Sequence, residues 1–311
     1  MKFFLSLIFL SFHLFTLSVN AQFSGKITYE FEYENPTSQN LESLLQDVKI
    51  DSILYYVSHK AYKSVCYADG KVYEEYVYDA ASKRMLFSMG NRPYYLYLQT
   101  DLEKFTASEV LQIEPKDRIE ILGNSAYKTI NLYTGEISYF SDAIQIDYAE
   151  FNAHYFMQWN RILKETNGSI PLKSISQHNG VCIVKTATKI EEIPADEIDF
   201  SFNKSQEQVA AYNNLDEVIE FPELKGSGFW CYQAEVEKHS SKLIDGKDYQ
   251  LTLRFVVHPY GKITHVEVEK SEYDYLNEAA KHIIQNCDLG FKAGKINGNA
   301  VSSEIFYPIN F

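Results

Sequence analysis

Proline, cysteine and positive charge are all scarce in this chain. Eight prolines are scattered over 311 residues without clustering, which excludes an extended proline-rich stalk. Lys and Arg number 29 against 42 Asp and Glu, for a net charge of −13. Binding nucleic acid requires clustered cations that displace counterions from phosphates, so nucleic acid is excluded as a partner. The same deficit argues against adsorption on anionic lipid. The familiar catalytic signatures are missing too: no Gly-x-Ser-x-Gly, His-Glu-x-x-His, phosphate loop or dinucleotide fingerprint occurs. The expectation is a non-enzymatic protein without a cofactor or metal. His258 and His265 flank one hairpin and, in the simplest register, point to opposite faces. His178, His239 and His282 lie in polar contexts, and Glu191, Glu192, Asp196 and Glu197 surround Pro194 as charges of a solvated loop.

Long apolar runs are absent after the first twenty residues, so no membrane span is expected in the mature chain. Residues 1–21 carry Lys2, an apolar stretch from Phe3 to Val19, and a small-x-small site at Val19-Asn20-Ala21. That is the pattern of a cleaved secretory signal peptide. No Cys follows the site, so no lipid anchor is expected there. The chain is read as periplasmic or secreted.

In that oxidising setting the four cysteines, Cys66, Cys182, Cys231 and Cys287, can form bridges. The domain boundary favours Cys66–Cys182 and Cys231–Cys287. The alternative is four buried free thiols. Cys287 ends the apolar stripe of a helix and Cys231 sits in the aromatic run Phe229-Trp230-Cys231-Tyr232. Their pairing requires Cα atoms within about 7 Å.

What the chain has in excess is alternation. Ile27, Tyr29, Phe31 and Tyr33 alternate with Thr28, Glu30, Glu32 and Glu34, the two-residue period of a half-buried strand. Leu41, Leu44, Leu45 and Val48 suggest a short helix. Strands follow near 53–59, 62–68, 71–79, 84–88, 94–99, 110–113, 127–131, 136–140 and 181–190. Turns fall at Asp69-Gly70, Thr134-Gly135 and Asn179-Gly180, and residues 156–164 can add a helix. Residues 22–205 therefore read as a curved antiparallel sheet, half-barrel-like, with one or two helices. Tyrosine reaches 24 residues. Such rings suit half-buried strands, or they line a cavity for lipid, glycan or peptide. Tyr94, Tyr95 and Tyr97 are the cavity candidates.

Residues 206–228 read as a linker, with a short helix within 206–220 and Gly226-Ser227-Gly228 before a strand or irregular start at Phe229. Beyond it, Leu251, Leu253, Phe255 and Val257 mark a strand. Pro259-Tyr260-Gly261 marks a turn, and Thr264, Val266 and Val268 a return strand. Ser271 is placed to cap a helix with Asp274 three residues on. Leu276, Ala279, Ala280, Ile283 and Ile284 form its apolar stripe. After Gly290, Gly294 and Gly298 a last strand runs from Val301 to Phe311. The fold class is α+β.

This last segment resembles the C-terminal domain of the TonB energy transducers. The likeness rests on 253–257, on Gly261-Lys262-Ile263, and on Val266 to Ser271. It continues through Leu276 to Ala280, Phe291 to Val301, and the closing Pro308-Ile309-Asn310-Phe311. Ala293 departs from the usual Pro. The resemblance implies a small β-β-α-β domain over 229–311 that engages an envelope protein or peptide, with an outer-membrane receptor as the first candidate. Strand addition at an open edge is the implied mode, and Val301, Ser303, Ile305, Tyr307 and Ile309 are the candidate edge residues.

Gly25 to Glu30, Ile121-Leu122-Gly123 with Ala126-Tyr127-Lys128, Ile170 to Lys173, Ala187 to Ile190 and Ile193-Pro194 carry a second likeness. Through them residues 22–205 resemble exported sheet proteins of the DUF4412 and GLPGLI type, which are similar to the carriers LolA and LolB. A Gly-Leu-Pro-Gly stretch is missing. The implied alternative is a carrier of lipid or lipidated protein in the N-terminal sheet.

Overall fold

The computed structural model describes residues 22–34, 41, 44, 49–90, 92–102, 110–202, 206–212, 215, 227–242, 249–271 and 273–311. The expected signal peptide, most of the helix expected at 41–48, and the second half of the expected linker lie outside them. Among the described residues no helix is long and apolar enough to cross a membrane.

The first half is a succession of strands: β1 Gly25–Glu34, β2 Ser52–Val57, β3 Ala61–Ala68, β4 Lys71–Asp79, β5 Arg84–Met89 and β6 Tyr95–Gln99. β7 Leu111–Ile121, β8 Asn124–Asn131 and β9 Ile137–Gln145 follow. Two 3₁₀ turns, at 149–151 and 156–158, lead into helix α1 Trp159–Glu165, and then come β10 Ser169–His178 and β11 Val181–Glu192. Turn chemistry sets the pairing. Asp69-Gly70, Leu122-Gly123 and Asn179-Gly180 all place both residues at positive φ, the conformation that matches the twist of a two-residue hairpin.

The second half contains β12 Gln208–Ala210, α2 Ser227–Ser240, β13 Gln250–Val257, β14 Ile263–Lys270, α3 Asp274–Asn286, a small hairpin of β15 Lys295–Ile296 and β16 Asn299–Ala300, and β17 Ser303–Asn310. The α+β class holds, with an open curved sheet and a β-β-α-β unit at the C-terminus.

The two halves share one sheet. Its order is β14-β13-β17-β12-β6-β5-β4-β3-β2-β1-β11-β10-β9-β8-β7. β12 joins them, lying parallel to β6 on one side and to β17 on the other. The expected linker is thus a strand at 208–210 where a short helix was anticipated. Val209 and Ala210 are fully buried, and burial of this apolar pair between two existing edges outweighs local helix preference. The expected strand at Phe229 is instead helix α2. Gly228, read as a linker residue, lies so close to α3's end that a Cβ would strike the Asp288 carbonyl.

The packing also crosses the boundary. Leu86, Tyr97 and Leu102 join the core built on Leu253, Phe255, Leu276, Ile283, Ile305 and Ile309. Val256 and Val209 join the N-terminal core around Tyr78, Phe151, Leu163 and Ile170. β13 does this by presenting alternate residues to α3 and to the N-terminal half. Helix α3 starts at Asp274 after Tyr273, and Ser271 accepts only the Tyr273 N–H. The expected capping by Ser271 does not occur.

Candidate functional site

One candidate surface is the outer edge of β17. Tyr249 and Phe311 exchange both backbone hydrogen bonds, at 3.2 and 2.8 Å. Antiparallel pairs alternate, so Ile309, Tyr307, Ile305 and Ser303, which face Leu251, Leu253, Phe255 and Val257, also bond to β13. Ile305 and Ile309 are fully buried in the same core as Leu276 and Ile283. Val301 donates to the Gly294 carbonyl. The candidate edge residues Val301, Ser303, Ile305, Tyr307 and Ile309 are therefore inward-facing, the wrong parity for a partner strand. The peptide groups that point away from β13 belong to Glu304, Phe306, Pro308 and Asn310. β12 covers only the start of this edge, pairing Ala210 with Ser303. Beyond that, no strand among the described residues pairs with it. Pro308 stands where an outward N–H is dispensable, the position in which strands tolerate proline.

The other end of this sub-sheet, β14, is blunted. His265 sits at φ 53 where the register with β13 slips, and Glu267 is tied to Lys281 of α3 at 3.1 Å. Bulges and charges of this kind obstruct edge-to-edge pairing.

Between the halves lies a buried polar cluster. Glu304 accepts from Arg92 at 2.7 and 3.2 Å and from the Tyr94 hydroxyl at 2.6 Å. Arg254, itself buried, reaches Tyr94, Glu304 and Glu269. Burial and the Glu304 carboxylate raise the Tyr94 phenol well above its ordinary range. Beside it, His258 and His265 both approach Glu207, at 3.6 and 3.2 Å. The expectation of opposite faces fails because the slip at His265 inserts an extra residue and turns its ring. Glu207, from the stretch expected to be linker, thus ties the start of β12 to the β13–β14 hairpin.

The cavity is elsewhere, on the concave face of the N-terminal sheet, and measures about 580 Å³. Its walls include Tyr29, Tyr55, Tyr62, Met85, Phe140, Trp159 and Ile170, and Lys185 and Glu136 are its charged groups. Tyr94, Tyr95 and Tyr97 do not line it. Tyr94 belongs to the polar cluster, Tyr95 stacks on Phe202, and Tyr97 lies under the Arg84 guanidinium. Alternate strand residues point to opposite faces, so this dense run of tyrosine is divided between them and stays outside the cavity. Tyr29, Tyr55 and Tyr62 come together only through pairing of β1, β2 and β3. His154 is buried at the cavity's inner end, its Nε2 2.8 Å from the Tyr62 hydroxyl. Burial pushes its pKa down to about 3.

Cys231 of α2 and Cys287 at the end of α3 form a disulfide with Cα atoms 5.5 Å apart. Cys66 and Cys182 are free. They lie on β3 and β11, separated by β2 and β1. At about 4.8 Å per strand spacing that exceeds bridging distance, so the expected Cys66–Cys182 bridge is ruled out. Burial pushes the Cys66 thiol up to about 11.

The β-β-α-β unit forms a small sheet module at the C-terminus. Residues 245–311 match the family model of the Gram-negative bacterial TonB protein C-terminal, and this segment is such a module. The match stops short of residues 22–205, whose likeness to carrier proteins stays a resemblance of sequence. No curated protein matches the chain. Among solved structures, PNGF-II shares 13% identity at a TM-score of 0.38, over 76% of this chain and 44% of that one. The chain thus spans less than half the length of that structure. A putative DNA polymerase III beta subunit from Eubacterium rectale shares 10% identity at a TM-score of 0.11, over 89% and 82% of the two chains. At these scores neither likeness bears on fold or function.

Proposed function

We propose that this protein is a periplasmic adaptor whose C-terminal module binds an envelope partner by strand addition. The observation that carries the proposal is the family match over residues 245–311; the family is one of non-catalytic protein-interaction domains. The acceptor is the outer edge of β17 from Glu304 to Asn310. A partner peptide would pair with the outward groups of Phe306 and Asn310, and the exposed Phe306 side chain would contact its residues. The periplasmic segment of an outer-membrane receptor is the partner class. Such segments, titrated calorimetrically into the full chain, are expected to bind, and Phe306→Pro to abolish binding by removing the outward N–H. Equal binding by Phe306→Pro would sink edge pairing at this site.

A second reading is favoured by the cavity. An aromatic-walled space of about 580 Å³ falls within the range of small-molecule pockets, so the N-terminal sheet is proposed to carry an apolar ligand. Native mass spectrometry of protein purified from the periplasm tests it: a clean apo mass with no displaceable hydrophobic dye leaves it without support.

A further inference from the structure

The cavity has a polarity that the carrier reading does not use. One end is apolar, formed by Met85, Phe156, Trp159, Ile162 and Ile170. Lys185 lies in a polar cross-strand row with Ser174, Ser138 and Thr129. Lys185 comes from the middle of β11, between Phe31 of β1 and Ser174 of β10. Two sheet neighbours hold its stem, so the amine is aimed by the sheet and not by a mobile loop.

Among the described residues this amine has no ion pair and no hydrogen bond. The Tyr29 ring lies 5.1 Å from Nζ to centroid, and the Glu136 carboxylate and the buried Cys66 thiol are near enough to act on the amine. Lys63 and Lys128, which alternate with the cavity residues Tyr62, Ser64 and Thr129 and so face the other side of the sheet, are paired with Glu75 and Glu114, each at 2.9 Å. Glu136 also lines the cavity but stands beyond ion-pair distance of Lys185, and it accepts the Ser138 hydroxyl at 3.1 Å. Burial pushes the Lys185 amine below the ordinary lysine range, with Glu136 opposing that effect. Keeping a half-buried amine charged without an ion-pair partner has a cost. A ligand anion would remove that cost.

We infer that the cavity takes a single aliphatic chain ending in an anionic carboxylate, with the carboxylate on Lys185 and the chain running toward Trp159. This rests on the reading of the N-terminal sheet as a carrier of apolar ligands and adds the headgroup and its residue. The chain end lies under a lid whose backbone is already strained: Met157 and Gln158 stand at φ 51 and 60, a left-handed pair that non-glycine residues rarely adopt. Met157, 73% exposed, lines the mouth above Trp159.

Trp159 provides the readout. The chain has two tryptophans, and Trp230, 67% exposed on α2, is remote from the cavity. In a Trp230→Phe background the full chain is titrated with a saturated fatty acid and with the alcohol of equal chain length, following Trp159 emission. The acid is expected to bind at least about tenfold more tightly than the alcohol, the scale of one charged hydrogen bond. Lys185→Met is expected to erase that difference while alcohol binding persists, which also shows that the variant folds. Glu136→Gln is expected to tighten acid binding. Equal binding of acid and alcohol, unaffected by Lys185→Met, overturns the headgroup assignment and leaves the carrier reading standing. Failure of both ligands to bind overturns the two together.

Discussion

Tyr94 and Glu304 lie 210 residues apart in the chain, yet the phenol donates a 2.6 Å hydrogen bond to the carboxylate in a site closed to solvent. Arg92 and Arg254 converge on the same carboxylate. This contact makes the TonB-like module continuous with the first half of the protein. Glu304→Ala leaves the buried Arg254 with one fewer counter-charge and is expected to cost about 3–5 kcal/mol. Tyr94→Phe removes two charged hydrogen bonds, one donated to Glu304 and one accepted from Arg254, and should cost about 1.5–3 kcal/mol or more. Urea denaturation followed by Trp230 and Trp159 emission checks both. If Glu304→Ala unfolds the two tryptophan environments at the same midpoint as the parent, the cluster does not hold the halves together.

The Cys231–Cys287 bridge ties α2 to the end of α3 across 56 residues. Restricting the unfolded chain in this way stabilises the fold by about 2–5 kcal/mol. Cys231→Ser with Cys287→Ser should lower stability by that amount, and reductant should then have no further effect. Equal midpoints of the parent with and without reductant would show that the bridge contributes nothing.

His154 makes stability depend on pH. Its folded pKa of about 3 lies below the ordinary 6.5, so the native state holds it neutral while the unfolded chain takes up a proton. Its contribution is complete above about pH 6.5 and declines as pH falls toward 3. One proton corresponds to a slope of about 1.4 kcal/mol per pH unit. His154→Phe is expected to flatten the stability profile between pH 6 and 4 by about that slope. An unchanged slope in the variant would show that His154 is not the group taking up the proton.

The two faces of β17 should respond differently to proline. Ile305 bonds into β13 and is fully buried, so Ile305→Pro removes a ladder hydrogen bond and is expected to cost about 1–3 kcal/mol or more. At Phe306, 44% exposed, the N–H points outward and Phe306→Pro should cost less than about 1 kcal/mol. Thermal unfolding of the pair decides it; equal losses would mean that the edge is covered.

Much of the fold was legible because it is local. Alternation in Ile27–Tyr33 and Leu251–Val257, and Asp-Gly or Asn-Gly turns at 69–70 and 179–180, specify strands and hairpins through steric rules that act over a few residues. The stripe of Leu276, Ala279, Ala280, Ile283 and Ile284 specifies α3 and the face it buries. The TonB-like order of elements followed from the same signals; the Cys231–Cys287 pairing was expected from their shared domain, with Cys231 read on a strand or irregular segment where the structure has α2.

Tertiary structure decided what depends on which distant strands become neighbours. Val209-Ala210 carries no alternation long enough to announce a strand, and becomes one only because β6 and β17 both offer unpaired backbone there. Whether β17 presents Ile305 or Phe306 outward was set by its register with β13. Tyr29, Tyr55 and Tyr62 form a cavity wall because β1, β2 and β3 align them on one face, while the denser run at Tyr94–Tyr97 is divided between faces. Lys185 sits in an unremarkable alternating stretch. Its isolation inside a chamber exists only once the sheet curves and residues 149–165 pack across it, since desolvation is a property of the assembled surroundings and not of the residue.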